Sequence, residues 1–265
     1  MIERSCALLV CLLAGCSGGG GDAGFPFAGS CVLTASAISG NPSTYEASAE
    51  FGNPVTPPAF CQGGTAAGSC CLYTGGGPDA GAVGAPPVSA GTLSVTEGTT
   101  PIATLHYDVG TSSYPRVAQA NPWGAGAVMS WSGDGEVAGT FTGSVTAPAL
   151  ITGLNPDPGA NPLGVTLPRN ADLTLLWTPD ALSPGARMRV DLNVGMPVQF
   201  STLIRCEVDD SAGSVVVPMS LMTQLAVNSS GYILYQRSNE VTVDGHNVSV
   251  SLIAQSTAYG AATFK

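Results

Sequence analysis

The feature that most constrains the fold of this chain is the strict alternation of apolar and polar residues in short segments. A period of two is typical of β-strands, because successive side chains point to opposite faces of a sheet. The clearest case is residues 187–194, whose apolar members are Met188, Val190, Leu192 and Val194. A slip of one residue would turn four polar side chains inward, so we expect this strand to have a fixed register.

Glycine and proline separate the alternating segments. The chain has 35 glycines and 20 prolines among 265 residues, about a fifth of the total and a high share for a globular protein. Only residues 218–225 predict a helix, with a proline in its first turn. Charged residues make up 10% and the mean hydropathy is +0.27, so there is enough apolar surface to form a core. The sequence therefore predicts an all-β fold with frequent turns.

Several strand pairs follow from these signals. Residues 93–96 and 102–109 predict one hairpin, and residues 128–132 predict another with a returning strand at 137–146. We expect the serines and threonines of that returning strand to face water. Strands at 232–237, 240–243 and 248–254 are expected to close the chain, the last two joined by the turn Asp244-Gly245.

A proline-rich segment at residues 148–168 suggests a domain boundary, which we place near Ala147. The prediction is two β-sandwich-like domains, a disulfide-containing domain at 25–147 and a second at 148–265. The second domain is immunoglobulin-like in having a core tryptophan, Trp177, but it lacks the paired inter-sheet cysteines. We expect Cys206, which has no partner in this domain, to be an inert core thiol.

Four cysteines near the start of the β region are disulfide candidates: Cys31, Cys61, Cys70 and Cys71. A bridge between adjacent cysteines is strained, so Cys70 and Cys71 are expected to pair elsewhere. We prefer Cys31–Cys71 with Cys61–Cys70, and the alternative is Cys31–Cys70 with Cys61–Cys71. A zinc site is the rival interpretation, but no histidine lies near and the cysteine spacing matches no tetrahedral cysteine site.

The N-terminus has an export signal. Residues 6–13 carry no charge and are too few to span a bilayer. They end in Leu13-Ala14-Gly15-Cys16, an aliphatic residue, a small residue, glycine and cysteine. This pattern resembles the lipobox of bacterial lipoproteins. The alternative is an ordinary secretory signal in which the Gly-Cys order is accidental.

The lipoprotein resemblance implies an anchored protein. It implies a diacylglyceryl group on Cys16, removal of the signal peptide 1–15, and an acyl chain on the new amino terminus. Residues 16–24 then form the lipidated cysteine and a flexible glycine-rich tether. By the same resemblance Ser17, which is not the aspartate of inner-membrane retention, favours the outer membrane. The protein would face the periplasm or the cell surface.

Candidate site residues are few. Asp209 and Asp210 form an acidic turn that could bind calcium, although its spacing is not that of an EF-hand, and we interpret it as a solvated turn. Trp123 lies in a predicted loop and is the aromatic candidate for ligand binding. Trp131 and Trp177 alternate with polar residues, which favours the core. Residues 25–265 contain no Gly-x-Ser-x-Gly or Ser-x-x-Lys nucleophile motif.

The predicted function is therefore a lipid-anchored cell-envelope protein with a non-enzymatic binding or structural role and no cofactor. Its partners would be membrane lipid through Cys16 and an envelope protein or glycan. Eight basic against eighteen acidic residues exclude nucleic acid, since a net charge of −10 repels phosphates. The alternative is a carbohydrate- or calcium-dependent adhesion module that uses Trp123 and the acidic turns. A secreted hydrolase is the third hypothesis.

Overall fold

A computed structural model describes residues 25–38, 44–54, 59–75, 87–119, 123–161, 163–196 and 199–265. The predicted signal peptide, the predicted lipidation site Cys16 and the tether up to residue 24 lie outside the described residues. The all-β prediction is confirmed, since strands dominate the described chain. Its helices are one α-helix, α1 (Met219–Met222), which begins after Pro218, and a single-turn 3-10 helix at Asp210–Ala212. No helix in this part of the chain is long and apolar enough to cross a membrane.

The strands are mostly short, and the longest two end the chain. In chain order they are β1 (Phe27–Ile38), β2 (Thr44–Gly52), β3 (Thr65–Ala67), β4 (Cys70–Thr74), β5 (Leu93–Glu97), β6 (Thr100–Leu105), β7 (Val117–Gln119), β8 (Val128–Gly133), β9 (Phe141–Thr146), β10 (Val165–Leu167), β11 (Leu173–Leu176), β12 (Arg187–Met196), β13 (Gln199–Asp209), β14 (Ser214–Val217), β15 (Ser229–Asp244) and β16 (Val248–Phe264).

A large mixed sheet organises the molecule. Its strands follow the order β3-β4-β13-β12-β15-β16-β1-β2-β7, and β10 pairs with the end of β16. The first and last strands run parallel, with Phe27 opposite Val248 and Ile38 opposite Tyr259. Two smaller sheets, β6-β5-β8-β9 and β11-β14, complete the architecture. The two ends of the described chain therefore meet in the middle of the large sheet.

The two smaller sheets pack on the large sheet and enclose two hydrophobic cores. The first core lies between β6-β5-β8-β9 and strands β1, β2 and the start of β16. The second lies between β11-β14 with α1 and strands β4, β12, β13, β15 and the end of β16. Each sheet element thus buries one apolar face.

The predicted boundary near Ala147 does not match this arrangement. Strands from both sides of residue 147 hydrogen-bond in the large sheet, because β1 pairs with β16 and β4 pairs with β13. Each core consequently draws residues from both 25–147 and 148–265. The proline-rich segment connects the two cores instead of separating two sandwich domains, and local sequence patterns carry no information on such distant strand pairing.

Most of the predicted strands and turns agree with the structure. The hairpin of β5 and β6, the alternation in β12 and the Asp244-Gly245 turn are confirmed. The second strand of the hairpin was expected to reach Val109, but β6 ends at Leu105 and the Val109 side chain is exposed. The strand after β8 begins at Phe141 instead of Val137, whose side chain is exposed. The expected strands 232–237 and 240–243 are one continuous strand, β15, because Asn239 stays in the ladder and its side chain donates a hydrogen bond to the Thr146 carbonyl.

The disulfides differ from the preferred pairing. The structure contains Cys61–Cys71, from the alternative pairing, and Cys70–Cys206, while Cys31 is a free, buried thiol in the first core. Adjacent cysteines on β4 point to opposite faces, so Cys70 enters the second core directly opposite Cys206. The expectations of a bonded Cys31 and an unpaired Cys206 were therefore wrong, since strand pairing and not sequence proximity sets which cysteines meet.

A buried ion pair ties β15 to the segments that follow β9, β11 and β13. Arg237 on β15 donates from Nε to Asp210 Oδ1 at 2.8 Å, and each side chain is only 2% exposed. Arg237 also donates to the carbonyl oxygens of Ala149 and Thr178. The second carboxylate oxygen of Asp210 accepts the Asp180 N–H at 2.7 Å. The sequence predicted that Asp210 belongs to a solvated acidic turn. The structure shows instead that its side chain is buried.

We expect Asp210→Asn to lower the free energy of unfolding by about 3–5 kcal/mol, because it leaves Arg237 as an uncompensated buried charge. The amide nitrogen would also face a donor, either Arg237 or the Asp180 N–H. Asp209→Asn is the matched control, since its exposed pair with Arg187 should contribute little. Urea unfolding at pH 7 measures both changes, and equal effects would contradict a central role for Asp210.

Candidate functional site

The aromatic candidate Trp123 lies inside the protein. Its side chain belongs to the first core, with a residue exposure of 6%. Its ring centroid lies 4.9 Å from that of Tyr45 in an edge-to-face arrangement. Trp123 was the aromatic candidate for ligand binding because it lies in a predicted loop, but its contact with Tyr45 on β2 holds the indole inside the core. The core positions of Trp131 and Trp177 are confirmed.

The acidic candidates Asp209 and Asp210 do not act together. Asp209 Oδ1 accepts a hydrogen bond from Arg187 Nη1 at 2.8 Å at the surface, whereas Asp210 points inward to Arg237. Each carboxylate is therefore neutralised by a different guanidinium. Among the residues that the structure describes, no group of three or more histidine, cysteine, aspartate or glutamate side chains could hold a metal ion.

A second charged cluster lies on the face of the large sheet opposite the second core. Asp191 on β12 stands directly across from Arg205 on β13 and also contacts Arg189, and Asp191 and Arg205 are buried. Arg205 Nε donates to Asp191 Oδ1 at 3.1 Å, and Arg189 Nε donates to Oδ2 at 3.0 Å. The sequence predicted only that the polar residues of β12 point away from the core. The structure shows that two of them, Asp191 and Asn193, are nevertheless buried on the face of the sheet that lies away from the second core.

The guanidinium groups decide the charge state of Asp191. Burial disfavours the ionised carboxylate, but the charge of Arg189 and then that of Arg205 outweigh it. Together with their hydrogen bonds they lower the pKa of Asp191 from 3.8 to about 2. Asp191 is therefore ionised at every physiological pH and ties two strands together.

The neighbouring polar side chains on this face bind one another. Gln236 Nε2 donates to Gln255 Oε1 at 2.7 Å, and Gln255 Nε2 donates to Thr34 Oγ1 at 2.9 Å. This chain of bonds crosses β15, β16 and β1, and its three residues are buried. Because these amides and this hydroxyl are engaged with one another, the face stabilises the sheet and presents few groups to a ligand.

The four-stranded sheet carries a different polar surface, which we call the hydroxyl depression. It is a shallow depression of about 340 Å³ on the solvent side of β5, β8 and β9. Trp131 and Gly143 contribute to its lining, and its six polar lining residues are Ser94, Thr96, Ser130, Ser132, Thr142 and Ser144.

Strand register arranges these hydroxyl groups in two rows. One row is Ser94, Ser132 and Thr142, and the other is Thr96, Ser130 and Ser144. Neighbouring strands lie about 4.8 Å apart and alternate residues about 7 Å apart along a strand. The depression is therefore a regular two-by-three array of hydroxyl groups at spacings set by the backbone.

The hydroxyl groups of the depression are available to a ligand. Within the described part of the chain, none of the six forms a hydrogen bond with another protein group. Each can donate one hydrogen bond and accept two. The lining contains no charged or titratable side chain, so its chemistry is that of neutral hydrogen bonding.

The core beneath the depression holds it in place. Met129, Trp131 and Val145 point from the same strands into the first core. Gly143 lies against the large sheet, where a Cβ atom would come within 2.5 Å of Val243 Cγ1. The sequence placed the hydroxyls of the returning strand in water, but it did not indicate that three strands align them into one site.

No protein-family model and no curated protein sequence matches this chain.

We expect Asp191→Asn to destabilise the protein by about 3 kcal/mol at pH 7, because Arg189 and Arg205 lose their shared carboxylate. The pKa of Asp191 is lower in the folded state, so its stabilisation is complete above about pH 4 and is lost as the pH falls toward 2. Urea unfolding between pH 7 and pH 2.5 should show the difference from wild type shrinking by about 2 kcal/mol.

Asp134→Asn, at an exposed position, is the control for this experiment and should leave the free energy of unfolding at pH 7 almost unchanged. A difference between wild type and Asp191→Asn that stays constant from pH 4 to pH 2.5 would contradict the lowered pKa.

Proposed function

We propose that this chain is a lipid-anchored bacterial cell-envelope protein whose β body binds a ligand without transforming it. The observation that carries the proposal is Leu13-Ala14-Gly15-Cys16 at the end of a short uncharged segment. This tetrapeptide has the residue order that lipoprotein processing requires. Diacylglyceryl transfer to the Cys16 sulfur and acylation of the new amino terminus would then anchor the chain.

The energetics of lipid insertion favour a lasting anchor. Each buried methylene contributes about 0.8 kcal/mol, and a single chain gives only marginal binding. Several acyl chains on Cys16 would make attachment stable. The glycine-rich residues 17–24 would hold the folded body away from the lipid surface, which suits a body with a net charge of −10 near anionic headgroups.

The two disulfides support export from the cytoplasm. Cys61–Cys71 and Cys70–Cys206 are of the kind that forms in oxidising compartments such as the periplasm or the cell surface. Ser17 after the lipidated cysteine favours delivery to the outer membrane. Together with the anchor, these features support a location on the outer membrane.

The hydroxyl depression supports binding over catalysis. A hydrolase needs an activated nucleophile or a general acid and base. The lining of the depression offers neutral serine and threonine hydroxyls with no base beside them. Such a surface can bind and orient a polar ligand but has no group that would take up a proton.

The anchor is tested with Cys16→Ser in a bacterial host. We expect this change to abolish incorporation of radiolabelled palmitate and to move the protein from the membrane fraction to the soluble fraction. Cys11→Ser, which changes a signal-peptide cysteine and leaves the tetrapeptide intact, is the matched control and should be labelled normally. Palmitate incorporation by the Cys16→Ser variant would show that the anchor is misassigned.

A further inference from the structure

We propose that the hydroxyl depression is a binding site for a neutral saccharide. This inference rests on the proposed binding function and names the ligand class of the same surface. It is carried by six hydroxyl groups that have no partner among the described residues and that line one depression whose lining holds no charged side chain.

The hydrogen-bonding chemistry of the depression matches that of a sugar. Every serine and threonine hydroxyl donates and accepts, and so does every hydroxyl group of a saccharide. The two rows of three hydroxyls can therefore bind neighbouring sugar hydroxyls cooperatively, with each group acting as donor to one partner and acceptor from another. A ligand without groups that both donate and accept hydrogen bonds would leave some of the six hydroxyl groups without a partner from the ligand.

The size and rigidity of the depression also suit a short glycan segment. At about 340 Å³ the depression is shallow and open to solvent, so a ligand would lie along the sheet surface. The three strands are fixed by the core beneath them, through Val95, Trp131 and Val145. Because serine and threonine have a single side-chain torsion before the hydroxyl, little rotamer entropy is lost on binding.

Electrostatics select a neutral ligand over an anionic one. The lining holds no arginine, lysine or histidine that could pair with a carboxylate, sulfate or phosphate. The whole chain carries a net charge of −10, which repels anionic glycans. The structure therefore predicts neutral hexoses or N-acetylhexosamines as the sugar units, with acidic sugars excluded.

The test uses the full-length protein in a polyoxyethylene detergent, which avoids sugar headgroups. The probes are immobilised oligosaccharides of neutral hexoses and N-acetylhexosamines, each beside a sulfated or sialylated counterpart, followed by calorimetric titration of the strongest. We expect binding of neutral probes and at least tenfold weaker binding of their anionic counterparts. A complete lack of binding to the neutral probes would overturn the proposal.

The double variant Thr96→Val/Thr142→Val removes two lining hydroxyls with almost no change of shape. Two lost hydrogen bonds should weaken binding about tenfold or more. Thr174→Val is the matched control, an exposed threonine on β11 outside the depression, and should bind like wild type. Unchanged melting temperatures would exclude misfolding, and wild-type affinity in the double variant would refute this location.

The same experiments separate this inference from the proposed function. If palmitate labels Cys16 and the protein binds no neutral glycan, the anchored-protein proposal stands and the saccharide site is wrong. If the full-length Cys16→Ser variant binds glycan as wild type does, the site is independent of the anchor, as proposed. If glycan affinity requires Cys16, the hydroxyl depression is not the binding site.

Discussion

The buried Arg237–Asp210 pair is the interaction on which the rest of the structure depends. Removing two charges from water is costly, and such a pair is tolerated only when hydrogen bonds satisfy the remaining donors and acceptors. Here Ala149, Thr178 and Asp180 supply those bonds from the backbone. Ala149 lies on the segment that leads from β9 in the first core to β11 in the second, whereas Thr178 and Asp180 lie between β11 and β12. One ion pair therefore ties the connection between the cores to the second core.

The second constraint is the parallel pairing of β1 with β16, which places the ends of the described chain side by side. Through β16 the large sheet serves both cores, and the four-stranded sheet packs on β15 and β16 without side-chain bulk at Gly143. The turn at Asp244-Gly245 adds a backbone bond, since the His246 N–H donates to the Thr140 carbonyl at 2.8 Å. The hydroxyl depression therefore depends on contacts between residues far apart in sequence.

The two polar surfaces of the protein differ in whether their groups are already engaged. On the large sheet Gln236, Gln255 and Thr34 bind one another, and Asp191 is held by two guanidiniums. The six side-chain hydroxyl groups that line the hydroxyl depression have no partner within the described residues. Polar groups that bond one another stabilise a fold, whereas exposed hydroxyl groups that bond only water can exchange that water for a ligand, which is why we propose that the depression binds one.

The sequence by itself determined the all-β class, the inward face of β12, the tight turns and the core positions of Trp131 and Trp177, because these follow from local periodicity and turn chemistry. Tertiary structure alone decided the pairing of Cys70 with Cys206, the burial of Trp123 and Asp210, and the sharing of one sheet across residue 147. It also aligned Ser94, Ser132 and Thr142 into one row. Each of these depends on which distant strands become neighbours, and that is set by the global packing of apolar faces, which no local pattern encodes.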